Sequence, residues 1–138
     1  MNLALLPLVA LVGGIGAIAR YAVIRVVVRA ARRRSGSTGA AVTAPELGRA
    51  LGTASVNLLG AAAAGALFGI MGPAAASVWG AVLGVGFLGA FTTFSAWMLE
   101  VVGLWLSHRR TAAILHLFGT LVTGVVLAAT AYGLVASG

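Results

Sequence analysis

Thr53 and Asn57 lie four residues apart in the apolar stretch "GTASVNLLG" (52–60), so a helix puts both on one face, with Gly60 on nearly the same face one turn later. A neutral amide carries two N–H donors. Two uses of such a face are open. It can be a packing seam between membrane helices, with small residues for close approach and Asn57 as hydrogen-bonding glue. It can also offer N–H donors to an anion in a pore without a fixed charge that would trap it. A second stretch, "GFLGAFTTFSAWMLE" (86–100), places Phe94 and Trp97 on one helix face, with Thr93 and Ser95 beside them. An aromatic ring has a positive edge. Ring edges and hydroxyl donors together can replace part of an anion's water shell. Ordinary aromatic packing is the alternative.

The same stretch carries Gly89 and Thr92, where a helix can break and free its carbonyls. Converging carbonyls suit a hard cation such as sodium, while a simple kink would need no ion. Arg20, in "GGIGAIARY" (13–21), is an arginine within an apolar run. It has a functional reading and a snorkelling one.

Catalysis finds no support. Glu46 and Glu100 are the only acids, and neither has a second carboxylate nearby in sequence. His108 and His116 have no carboxylate or cysteine beside them, too few ligands for a metal centre. His108 is expected in a solvated loop and His116 at a membrane interface. Without cysteine, disulfides and thiolate sites are excluded.

The elements that must position these groups are membrane spans. Hydrophobic residues make up 61% of the 138, mean hydropathy is +1.09, and only 9 Arg and 2 Glu carry charge, too few to disperse a soluble domain. The net charge of +7 is all arginine. Most of it lies in one connection beside an apolar span, which fits a membrane surface rather than nucleic acid. The first apolar segment starts almost at Met1 without a basic leader, so no cleavable signal peptide is expected. About 20 apolar residues cross a bilayer as a helix. Four runs qualify, about 3–28, 50–71, 74–106 and 111–135, forming one all-α domain over 1–138. The third run would reach roughly 50 Å against a hydrocarbon core of about 30 Å. Tilt or a break near its middle must absorb the excess. The Arg-, Gly- and Ser-rich 29–49 reads as a solvated loop, 72–77 as a tight turn, and 107–110 as the last connection.

"GGIGAIARY", "GTASVNLLG" and "GFLGAFTTFS" followed by a glutamate resemble the CrcB/Fluc fluoride channels, in order and spacing over the first three spans. The resemblance implies a four-helix subunit of a bacterial cell membrane, assembled as an antiparallel dimer with two pores, passing fluoride passively out of the cytoplasm. It implies a sodium ion at the dimer centre on the carbonyls of Gly89 and Thr92. It implies a pore lined by Asn57, Phe94, Trp97, Ser95 and Thr53. Trp97 stands where the family usually has phenylalanine, and Ala90 where a second glycine is frequent. A small multidrug-type transporter, the first alternative, would carry a carboxylate in its first span, and this span has none. A non-transporting assembly subunit is the second.

The arginines are lopsided. The first connection and its flanks hold Arg25, Arg29, Arg32, Arg33, Arg34 and Arg49, the third holds Arg109 and Arg110, and the other side holds none. The positive-inside rule predicts both termini outside. An antiparallel channel then calls for a homologous partner of opposite orientation, unless a homodimer tolerates the bias.

Overall fold

The structure, a computed structural model, describes residues 3–35 and 44–137. Among them there is no strand. Four helical spans cover Leu6–Arg33, Glu46–Ala74, Val78–Leu106 and Arg110–Ala136, each long and apolar enough to cross a bilayer. Large apolar side chains such as Leu11, Ile18, Ile70, Leu99 and Leu134 point outward. In water that exterior would drive aggregation; in hydrocarbon it is the stable surface.

The second span is the hub, packing along the fourth and against the first, which also lies along the first half of the third. Backbones meet closely where side chains vanish. A Cβ on Gly65 would run into the Ala128 backbone, and one on Gly16 into the backbone of Phe87. Such small-residue contacts drive association where lipid offers no hydrophobic force between helices. The glycines of 13–21 thus bring Arg20 alongside the third span.

The first helix continues to Ser35 and the second begins at Ala44. The stretch 29–49, expected as a loop, is therefore helical at both ends, and 36–43 lies outside the described residues. The basic residues Arg29, Arg32 and Arg33 extend the first helix rather than leave it. The turn at 72–77 is a 3-10 helix, Gly72–Ala76, with Pro73 in its first turn and Gly72 at φ +49°. Only glycine takes that φ without strain. The third span begins at Val78 rather than near 74, with Ser77 accepting from the Gly80 N–H. It runs as a π-helix over Ala81–Leu88, an α-turn Gly89–Phe91, and an α-helix Phe94–Leu106. Between the last two, Thr92 and Thr93 are extended, with ψ 163° and 121°. The fourth span holds a second π-turn, Leu115–Gly119, between Arg110–Ile114 and Thr120–Ala136.

Candidate functional site

Two extended residues inside an apolar span leave backbone groups without ladder partners, and hydrocarbon makes each such group costly. Side chains from two other spans meet that demand. Asn57 Nδ2 donates to the Thr93 carbonyl at 3.0 Å, and the Thr93 N–H donates to Asn57 Oδ1 at 2.9 Å. Arg20 Nη1 donates to the Thr92 carbonyl at 3.4 Å. Thr92 keeps its N–H and its hydroxyl on the Leu88 carbonyl, both at 2.9 Å. Thr93 caps the next helix through Oγ1, which accepts from the Ala96 N–H at 3.3 Å. Gly60 makes room for the corner, since a Cβ there would strike Thr92 Cγ2.

The Thr93 N–H would normally return to the Gly89 carbonyl, and here it is committed to Asn57. Gly89 O loses that donor, and Thr92 O keeps a second lone pair beside Arg20. These are hard neutral oxygens, the donor type that sodium accepts. Among the described residues no group of three His, Cys, Asp or Glu could hold a metal ion instead. The residues present fit a sodium ion and do not fit a transition-metal centre.

Asn57, Gly89, Thr92, Phe94 and Trp97 line one open groove of about 860 Å³. Phe94 stands out on it, 70% exposed, while Trp97 is buried. The two rings meet edge to face, 5.8 Å apart at 81°. Asn57 acts as hydrogen-bonding glue between the second and third spans. One N–H and the oxygen secure the corner, and among the described residues nothing takes the second N–H.

Thr53, Ser95 and Arg20 stand apart from the groove lining. Ser95 is exposed, with its hydroxyl 3.4 Å from that of Thr93. Arg20 reaches the corner from the first span. Thr53, 1% exposed, donates to Glu100 Oε1 at 2.8 Å. The other carboxylate oxygen faces His116 Nε2 at 3.5 Å. Both of those atoms are buried without a hydrogen bond. The Trp97 indole N–H donates to the His116 carbonyl at 3.3 Å. The His116 side chain, expected at a membrane interface, is turned into the bundle, 9% exposed against Glu100.

A polar seam enclosed by four lipid-facing spans defines a multi-pass membrane protein. Residues 7–134 match the family model described as "CrcB-like protein, Camphor Resistance (CrcB)", and the chain belongs to that family. It is 37% identical over 120 residues to "Fluoride-specific ion channel FluC 2" of Mycobacterium tuberculosis (strain ATCC 25618 / H37Rv), covering 87% of this chain and 82% of that one. It is 35% identical over 127 residues to "Fluoride-specific ion channel FluC 1" of Geobacillus kaustophilus, covering 91% and 94%. It is 34% identical over 119 residues to "Fluoride-specific ion channel FluC" of Saccharophagus degradans, covering 85% and 78%. No solved structure matches. The family is one of ion channels, not of enzymes.

Proposed function

We propose that this chain is one subunit of a fluoride-selective channel through which fluoride leaves the cytoplasm down its electrochemical gradient. The observation that carries this reading is the groove, which gathers an uncommitted Asn57 N–H and the Phe94 and Trp97 rings on one face, in a chain whose relatives are named for fluoride. Neutral donors and ring edges replace part of the ion's water without a fixed cation to trap it. An interior-negative potential drives anions outward by roughly 2.3 kcal/mol per charge per 100 mV, so no energy-coupled step is needed.

The groove face is where a second subunit would sit, in antiparallel orientation. A sodium ion there would rest on the carbonyls of Gly89 and Thr92 and supply a central positive charge tying two subunits together. This chain's own residues do the rest: Asn57 and Arg20 hold the corner that presents those carbonyls. The arginine bias favours a related partner of opposite orientation over a homodimer.

Proteoliposomes test the reading. Fluoride-loaded vesicles should empty when a potassium ionophore relieves the charge imbalance, and chloride-loaded ones should stay full. Equal chloride efflux would overturn selectivity. If this subunit alone is silent, co-reconstitution with a homologue of reversed charge bias should restore flux.

A further inference from the structure

His116 and Trp97 meet through a local irregularity. The fourth span carries the π-turn Leu115–Gly119, at whose end the His116 carbonyl accepts from the Thr120 N–H. The same carbonyl takes the Trp97 indole N–H as a second bond. The imidazole of the same residue is aimed at Glu100, whose other oxygen is tied to Thr53. One residue thus holds a pore-facing ring by its backbone and the acid of the third span by its side chain. Phenylalanine at position 97 would have no N–H to offer.

We propose that His116 is a positioning residue that couples the charge on its imidazole to the setting of Trp97, so that fluoride passage past this ring rises as His116 gains a proton. Histidine is the side chain whose charge ordinarily changes between about pH 5 and 8. A protonated His116 closes the 3.5 Å gap to Glu100 as a charge-assisted hydrogen bond. That pulls on the carbonyl that holds the indole, and it neutralises the acid that stands one helical turn from Trp97 on the third span. Few other ionisable groups lie near. From the third span it is Glu100 itself. From the second, Glu46 and Arg49 line the pocket onto which Glu100 opens. From the foot of the fourth come His108, Arg109 and Arg110. The part of the first span nearest this face contributes Arg20, which is engaged at Thr92.

The test has two arms, and only the flux arm rests on the channel reading. For the first, Trp79 and Trp105 are replaced by Phe, leaving Trp97 as the sole tryptophan. Its emission in liposomes is followed from about pH 8 to about pH 5.5, the range in which histidine changes charge. The emission should titrate, and His116→Gln, which keeps a hydrogen-bonding group without the titration, should make it flat. Glu100→Gln should flatten it as well. Flat emission in the parent, or an unchanged titration in both variants, overturns the coupling. For the second arm, fluoride efflux corrected for protein-free vesicles should rise about threefold from pH 8 to pH 6, about 0.7 kcal/mol at the barrier. His116→Gln should remove that rise while keeping the flux seen at pH 8. A titrating emission with pH-independent flux would separate the ring from the path and overturn the proposal. Absence of flux at every pH, with a homologue of reversed charge bias present as well, would count against the channel reading, and the emission arm would still decide whether His116 positions Trp97.

Discussion

Asn57 and Thr93 exchange two hydrogen bonds across the second and third spans, at 3.0 and 2.9 Å, with the side-chain amide standing in for a length of missing helix. The pairing uses one acceptor and one donor on each side. Asn57→Asp keeps the acceptor for the Thr93 N–H but sets a second acceptor against the Thr93 carbonyl. It also places a charge within the span, at about 2.5–3.5 kcal/mol. We expect a clear loss of thermal stability in detergent and no fluoride efflux. Wild-type flux in this variant would show that the amide is dispensable.

Gly60 and Thr92 make a steric pair. Gly60→Ala drives its methyl into Thr92 Cγ2, and overpacking of that kind costs about 1–3 kcal/mol. Thr92→Ser removes only that methyl and leaves both the hydroxyl bond to Leu88 and the backbone carbonyl. The double variant should therefore recover most of the stability lost in Gly60→Ala. Equal melting of single and double variants would mean that the corner does not rest on this contact.

Thr53→Val deletes the hydroxyl that donates to Glu100 at 2.8 Å and keeps the shape. Hydrogen bonds between membrane helices average about 0.6 kcal/mol, and leaving a buried carboxylate oxygen unpaired adds about 1–3 kcal/mol. A stability loss of about 1–3 kcal/mol is expected by denaturant titration in detergent micelles. No change would mean that Glu100 finds another donor.

Much of this site was legible because its residue types are out of place in lipid. Asn57, Thr93 and the glycines around them have no reason to sit in apolar runs unless something there needs donors or close approach. Once Asn57 is set against Thr93, the antiparallel run of the two helices brings Thr53, one turn back, toward Glu100, two turns on. The partner of Glu100 on the fourth span was not legible. His116 has no motif around it, and which way it points depends on the rotation of that span and on a π-turn that "LHLFG" does not announce. The extension of the first helix through Arg29, Arg32 and Arg33 was missed for a related reason. Arginine has good helix propensity, so a charged end of a span and a solvated loop look alike in composition.

Orientation is the last expectation, and the structure adds anchors to it. Arg25 lies over the Tyr21 ring at 5.3 Å and donates to its hydroxyl, and Arg110 lies over Trp105 at 5.3 Å. Both pairs set a cation over an aromatic ring, one on the first span and one between the third and fourth. In a four-span chain those positions belong to the same side. That side carries eight arginines, at 25, 29, 32, 33, 34, 49, 109 and 110, and the opposite connection and both tails carry no Lys or Arg. Connections this short obey the positive-inside rule. A chain so biased should insert one way only, with both termini outside. A C-terminal reporter active only on the outer side should report external location, and replacing Arg29, Arg32, Arg33 and Arg34 by Gln should begin to mix the orientations. An even split in the parent chain would end the fixed-topology reading. Because vesicles accept both orientations, fluoride flux from this subunit reconstituted alone would show that like subunits can pair, and the reporter would then decide whether they meet in opposite orientations in the cell.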